Sequence, residues 1–578
     1  MKKSTLSRLL LICAVFATTA RAQAPDQARN YQINETHTGS VTTAHLTPPL
    51  RQRWSVNFGQ PISYPLIAGG RVFVTVKNVP ITQGTTLFAL DATNGAILWS
   101  FNLGGSFFWS GSCYENGRVF GLNGSGLLRA FDAATGNVVW TRQLPGQFSF
   151  SSAPTVYQGV IFTGGAGSGG TVYAVDANTG AVLWTSSVAN GDYSSPAVTS
   201  DGVYVSYSCP NVYKLDPATG LQIWHYAPGC SGGGGKTPAL FDGRLYVRDS
   251  SDTIFDSATG TIIGGFLAKN TPAFSGSMAF YLVGAHSFGT FGTLQGHDAA
   301  TNNHIWSFFG DSSLQSGVLV VNNYVYVGSS SGKLFAVDAA TGQQVWVTQA
   351  GTSIPYVDEQ NVSQPMTGFA AGEGLLVVPT STTLVAYEGD GVPPTVTFGN
   401  PTPAPNGAGW NNSAVDISFT TADDFSGVQS SNPASPLHFG SQGANQTQTV
   451  TVTDNAGNSA TYTSPAVNID LTAPDVTASA NPSSAPKRPQ PVTVTVSGSA
   501  TDSLSGIGSA SFNVIDEYGV TQPSGSVTVQ ANGSYSFTLS LPATKNGSDK
   551  NGHLYTIIVT VADRAGNSSS ATRTVTIN

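Results

Sequence analysis

The chain has 578 residues, with 32 Asp and Glu against 24 Lys and Arg, a formal net charge of −8 and only 10% charged residues. That balance argues against nucleic-acid binding, which needs a basic face. The length allows several domains, and no stretch beyond the first residues approaches the roughly 18 consecutive apolar residues of a membrane helix.

Lys2, Lys3 and Arg8 precede an apolar run from Leu9 to Phe16, and Ala20-Arg21-Ala22 offers a small-x-small cleavage site. Residues 1–22 therefore read as a secretory signal peptide. Ile12 before Cys13 is too bulky for a lipoprotein cleavage box, so no lipid anchor is expected. Removing the leader takes away four cations and leaves a net charge of −12. The mature protein is expected to be exported, to the cell surface or the medium, with a periplasmic home also open. A lead segment, residues 23–50, follows.

From residue 51 one phrase recurs at intervals of 40 to 44 residues: apolar strand, Asp, a Thr-Gly turn, apolar strand, Trp. Full copies begin at Leu87, Leu128, Val172, Val212 and Leu334, and weaker ones centre on Asp256 and Asp298. A fixed period of this size means repeated supersecondary units. β-branched and aromatic segments flank each turn, so they read as strands, and Gly takes the positive-φ turn position. Trp stands eight residues after Asp at Trp99, Trp140, Trp184, Trp224, Trp306 and Trp346, where a flat side chain can wedge against the next unit. With an upstream hairpin such as KTPALFDGRLYV, each unit has four strands and forms a propeller blade. Arg53 opens a Trp strand with nothing before it, and Leu375 opens inner strands with no Trp after them. Joined, these fragments make an eighth blade from both ends of the repeat region, closing the ring without exposed edges.

The phrase [LV]-[FY]-A-[LV]-D-A-x-T-G-x-x-x-W over residues 51–390 resembles the repeat of the pyrroloquinoline-quinone (PQQ) type β-propellers. The resemblance implies a propeller fold. It leaves activity open between quinoprotein dehydrogenases, which hold PQQ and Ca²⁺ and typically carry a vicinal Cys–Cys disulfide, and non-enzymatic propellers such as an outer-membrane assembly lipoprotein. This chain has neither a Cys-Cys pair nor a Cys-x-x-Cys-His haem site, and its even spacing leaves little room for active-site insertions. No catalytic residue and no cofactor are expected, with PQQ and Ca²⁺ kept for the enzymatic alternative.

At Gly391 the repeat stops, and Thr-, Ser- and Val-rich short strands begin. Two units, residues 391–471 and 472–578, share markers: Asp424-Phe425-Ser426-Gly427 and an Asp-x-Ala-Gly-Asn turn at Asp454 in the first, Asp502-Ser503-Leu504-Ser505-Gly506 and the same turn at Asp563 in the second. They resemble bacterial immunoglobulin-like modules, which are β-sandwiches. The expected architecture is all-β: an eight-bladed propeller followed by two immunoglobulin-like sandwiches.

Two loops of one blade open on the same face and carry Cys209 and Cys230, so a disulfide between them is expected in an exported protein. Cys113, in an innermost strand, reads as a buried thiol. The Gly-rich run from Cys230 to Thr237 lacks the first Gly of a phosphate-binding loop and precedes a strand, so it reads as a flexible loop. His297 and His304 flank one turn without a metal-binding arrangement. Asp423, Asp424, Asp454 and Asn458 would bind Ca²⁺ only if their turns met, and ordinary turn chemistry accounts for them; no metal site is expected. The feature with most functional content is a rim of aromatics in loops opening on one face: Phe107, Phe108, Trp109, Phe148, Phe150, Tyr193 and Tyr356. Such a rim could stack on a glycan or grip a peptide or protein. The alternative is core packing between blades. The expected function is a monomeric, non-enzymatic binding protein whose ligand is a protein, peptide or glycan. The alternatives are a degenerate PQQ-dependent oxidoreductase and an envelope-assembly scaffold.

Overall fold

A computed structural model describes residues 26–43, 45–78, 83–229, 234–249, 252–284 and 291–578. The signal-peptide segment, residues 1–22, lies outside the described residues. The described residues form strands joined by turns, in two compact units, residues 1–390 and 391–578. No helix among them is long and apolar enough to cross a membrane.

The first unit is a β-propeller. It holds eight antiparallel sheets of four strands, one of which gains a short fifth strand, Ser40–Val41. In seven sheets the four strands are consecutive; the eighth pairs Arg51–Asn57 with Thr383–Glu388, Leu375–Pro379 and Ala370–Gly372. Trp54 stands opposite Ala386, and Glu388 bonds Arg51 and Arg53. Strands from both ends of the repeat region therefore build this sheet.

Six Trp residues clasp the next sheet in the same way. Trp54 Nε1 donates to Ala92 O at 2.9 Å. Trp99, Trp140, Trp184, Trp224 and Trp306 donate to the carbonyls of Ala133, Ala177, Pro217, Ser257 and Ala339 at 2.9–3.1 Å. The indoles lie on the turn glycines. A Cβ at Gly95, Gly136, Gly180, Gly220, Gly260 or Gly342 would come within 2.5–2.8 Å of the ring, and each of these glycines has a φ of +71° to +74°. Gly is therefore needed twice over, for conformation and for space. The exception supports this account. One sheet has Gly264 where its Trp would stand, and the following turn carries Asn302 in place of Gly, at a φ of +61°. Asn302 Nδ2 reaches back to Gly265 O at 2.8 Å, filling the clasp with a hydrogen bond. Trp346 meets Tyr387 edge-on in the sheet built from both ends.

The turn Asp of each repeat acts within its own hairpin. Asp132 Oδ1 accepts from the amides of Ala134 and Thr135 and from the Thr135 hydroxyl, and Asp176, Asp216, Asp256, Asp298 and Asp338 repeat the pattern. These acids are structural.

Residues 26–41 form a strap along the innermost strands. The carbonyls of Asp26, Ala28, Arg29, Glu35, Thr36, Thr38 and Gly39 accept in turn from the amides of Glu373, Ile67, Tyr114, Val198, Leu240, Phe274 and Val320, at 2.7–2.9 Å. Asn30 Oδ1 accepts from Val156 N at 2.8 Å. The strap thus bonds every sheet in chain order, at the inner strand or, at Glu373, in the turn that follows it. It satisfies inner-edge amides of the sheets, in one of them as a short fifth strand.

The second unit has two parts, each with sheets packed over a shared core. In the first, Val415, Ile417 and Phe419 of one sheet meet Val450 and Val452 of another. In the second, Val494, Val496 and Leu539 face Ile557, Val559 and Val561.

Candidate functional site in the propeller channel

The inner strands enter the channel wall at one end and leave it at hairpin turns at the other. The strap bonds the leaving ends. The insertion spanning residues 352–368 bonds the entering ends. Met366 O accepts from Tyr64 N at 2.8 Å, Val362 O from Phe108 N at 3.1 Å, and Ile354 O from Gln315 Nε2 at 2.7 Å. Glu359 Oε1 accepts from Thr237 N at 3.2 Å. The insertion is therefore a plug held by several sheets.

Strap and plug meet inside. Tyr31, from the strap, shares one apolar cluster with Val357 and Met366 of the plug. It packs edge-on to Tyr64 with ring centroids 5.2 Å apart. His37 is fully buried, held by Pro238 O at Nδ1 (3.0 Å) and by the Thr155 hydroxyl at Nε2 (3.3 Å). Burial lowers its pKa to about 4, against smaller opposing effects from the Pro238 carbonyl and Glu359, so the imidazole is neutral.

At the centre Arg248, 3% exposed, pairs with Glu359, 6% exposed. Arg248 also donates to Thr271 Oγ1 at 2.9 Å and to the carbonyls of Lys269 and Thr237 at 3.2 and 3.3 Å. Burial opposes its charge, and Glu359, Tyr31 and Asp249 together outweigh that, leaving its pKa raised. A buried ion pair of this kind fixes position more than it adds stability. Here it pins the plug to the channel wall. Burial also lifts Asp249 to about 6, and burial and the Arg248 charge push Lys236 down. Among the described residues, two cavities lie beside the plug. One of about 230 Å³ is lined by Lys236, Lys269, Tyr356, Asp358 and Gln360; another of about 180 Å³ lies between Pro61 and Pro365.

The aromatics singled out from the sequence divide. Trp109 is fully buried among Leu103, Ala153 and Tyr64, and Phe150 is fully buried with its ring against Gly126 and Gly165. Those two belong to the core between sheets and offer no face to a ligand. The reason is the run of small residues in the neighbouring strands, which leaves room for a ring to fold inward. Phe107, Phe108, Tyr193 and Tyr356 are half-buried, and Phe148 is 66% exposed. Lys77 Nζ lies 4.2 Å from the Phe108 ring centroid and Lys269 Nζ 5.6 Å from that of Tyr356. Both aromatics touch the plug or belong to it, so they share its mouth of the channel.

Cys209 is disulfide-bonded, and Cys230 lies outside the described residues. Cys113 is a buried free thiol. The Gly-rich run is described only from Gly234, whose carbonyl accepts from Asn190 Nδ2 at 3.2 Å. The His297 and His304 rings are 5.4 Å apart, but His297 is held by Asn302 O and Gln295, and His304 by Ser307. Strap and plug were missed in the sequence, since neither carries periodicity. The one usable signal was that residues 352–368 exceed the spacing of the other repeats.

Three segments, residues 83–169, 168–263 and 290–392, match the family described as outer membrane protein assembly factor BamB. No curated protein matches the chain. Among solved structures, BamB from Moraxella catarrhalis is 16% identical, covering 59% of this chain and 99% of its own, with a TM-score of 0.45. A europium-containing methanol dehydrogenase is 17% identical over 65% of this chain and 90% of its own, with a TM-score of 0.48. A quinohemoprotein alcohol dehydrogenase from Pseudomonas putida HK5 is 14% identical over 64% and 81%, also at 0.48. With the sheets, turns and Trp clasps above, the first unit is a β-propeller, and the matched segments support PQQ-like repeats within it.

Proposed function

We propose that this is an exported, non-enzymatic binding protein: an eight-bladed propeller followed by two immunoglobulin-like sandwiches, presenting a ligand face at the plugged mouth of the channel. The observation that carries the reading is the filled channel. Strap and plug meet around the Arg248–Glu359 pair, where a catalytic propeller would need open volume and free polar groups. Against a tricarboxylate quinone stand the small volume beside the plug and the pairing of its charges, although Lys236, Arg248 and Lys269 line that space. The cavities of about 230 and 180 Å³ fall below the roughly 300 Å³ at which ligand pockets begin. Arg248 is committed to Glu359, and the repeat acids are committed to their turns. The ligand is a protein, peptide or glycan, held by Phe107, Phe108, Tyr193 and Tyr356, with Phe148 further out.

A second reading, an envelope-assembly scaffold, is favoured by the matched family and its printed role in outer-membrane protein assembly. The two readings share a non-enzymatic propeller and differ in the partner.

The test of the enzymatic alternative is incubation of the protein with PQQ and Ca²⁺, followed by absorbance and dye-reduction measurements with alcohols and sugars. No quinone uptake and no turnover are expected; stoichiometric uptake with turnover overturns the proposal. For the ligand face, a glycan and peptide screen is read against Phe108→Ala and Tyr356→Ala. Each should weaken a stacked ligand by about 1–3 kcal/mol.

A further inference from the structure

The second unit carries a cluster that the propeller argument does not use. One carboxylate oxygen from each of Asp470, Asp502 and Asp563 lies within 4.8 Å of the others. Asp470 is fully buried and Asp563 is 4% exposed. None of the three is in an ion pair among the described residues, and every donor they receive is neutral. Asp470 accepts from Thr472 N and Ser505 N at 3.1 and 3.0 Å. Asp502 Oδ1 accepts from Leu504 N and Gly506 N at 3.1 and 2.6 Å. Asp563 accepts from Gly566 N, Asn567 N and Asn567 Nδ2 at 2.6, 2.9 and 2.8 Å. Buried charges are ordinarily paired or bound to metal, and three together repel one another.

A separate feature points the same way. Ser505 is 4% exposed and its hydroxyl is buried without a hydrogen-bond partner. Its own amide holds Asp470 Oδ2, and the side chain is close enough to that carboxylate to favour its ionised form. A fourth oxygen thus stands at the cluster, beside the Asp470 carboxylate and with no other partner.

We propose that Asp470, Asp502 and Asp563, with the Ser505 hydroxyl, bind a Ca²⁺ ion where the two C-terminal sandwiches join. The donor set is all oxygen, which suits a hard cation. Oxygens sharing one Ca²⁺ at roughly 2.4 Å lie no more than about 4.8 Å apart, as these do. Asp502 also lines a cleft of about 620 Å³, so one carboxylate of the cluster is reached from outside. Asp470 follows the last strand of the first sandwich, Val467–Ile469, and its amide donates to Asn411 O at 2.9 Å. Asp502 and Asp563 belong to the second sandwich, so the ion ties one to the other. This departs from the sequence expectation of no metal, because turns about 60 residues apart come together only in the fold.

Calorimetric titration of chelator-treated full-length protein with CaCl₂ tests the site, against Asp502→Asn and Ser505→Ala. Asn keeps the Oδ1 acceptor that Leu504 and Gly506 require, so the turn survives. Wild type should bind Ca²⁺ at or below the millimolar dissociation constants of extracellular modules. Asp502→Asn should lower the stoichiometry by one or weaken one site at least tenfold, with unchanged circular dichroism. Ser505→Ala should weaken that site at least threefold. Equal stoichiometry and affinity in wild type and Asp502→Asn, or no Ca²⁺ binding by wild type at several millimolar, overturns the proposal. Unchanged affinity in Ser505→Ala removes the hydroxyl from the shell.

Discussion

The two units bury their strands differently. In the propeller, inner strands such as Ser110–Glu115 and Gly202–Tyr207 are buried along their whole length. In the C-terminal unit, Val415–Ala422 and His553–Asp563 alternate between a covered and a more open face. A blade has a neighbouring sheet on both sides, whereas each sandwich sheet covers one face and leaves the other to water. The propeller therefore depends on contacts passed from sheet to sheet and on what fills its axis. The sandwiches depend on their own two-sheet cores.

The most disruptive way to break that comparison is to remove the strap. Deleting residues 26–43 frees backbone amides in all eight sheets and removes the buried Tyr31 and His37 from the channel. The propeller transition in calorimetry should be lost or fall by more than 10 °C, on the scale of several kcal/mol, with the C-terminal transition unmoved. An unchanged propeller transition would mean that the strap is decoration.

Next in size is a single clasp. Trp140→Ala should cost about 3–5 kcal/mol in the propeller, because a large ring and its bond to Ala177 O are lost together. Gly180→Asn should cost about 2 kcal/mol or more, since its side chain would enter the space of the Trp140 ring. A denaturation series checks both, and a neutral Gly180→Asn would remove the clasp argument.

The acid dependence of the propeller follows from His37. Its folded pKa is depressed to about 4 from 6.5. Below pH 6.5 the unfolded chain takes up a proton that the folded chain refuses. The stabilisation is complete above pH 6.5 and is lost as pH falls toward 4, on the order of 3 kcal/mol. Asp249, raised from 3.8 to about 6, acts in the opposite sense: its contribution is present below about pH 4 and is lost as pH rises through 6. Wild type should therefore show a shallow slope across pH 4–6.5, and His37→Gln should gain stability relative to it as pH falls. Parallel profiles would show that His37 is not buried neutral.

The smallest expected effect is the most discriminating for the clasp. Asn302→Gly, in the turn whose preceding sheet lacks Trp, should change stability by less than about 1 kcal/mol. It gives up the bond to Gly265 O and gains an easier positive φ. The same pair of residue types then gives a large effect at position 180 and a small one at 302.

Much of the propeller was legible because its determinants are local. Asp, Thr, Gly and Trp sit at fixed offsets, and each offset answers one requirement of turn or stacking. The chain also announced the sheet built from both ends, through a Trp strand at Arg53 without inner strands and inner strands at Leu375 without a Trp. The site was far less legible. Trp109 and Phe150 occupy loops like those of Phe108 and Tyr356, and only the space above Gly126 and Gly165 decides that Phe150 turns inward. The strap holds the sheets mainly through its carbonyls, which any sequence possesses. Glu359 and Arg248, 111 residues apart, meet because ring closure brings the plug over the channel. The Asp470 cluster likewise joins turns that only the finished sandwiches bring together.

The central claim is that the channel is closed by the chain itself. Native-state hydrogen exchange at Val156, Val198, Leu240, Phe274 and Val320 tests it most directly, since their amides face the axis and bond only to the strap. These amides should exchange as slowly as the propeller core and only through global opening. Exchange at rates typical of exposed loops would contradict the account, and would return the channel to an open site where a cofactor or substrate could enter.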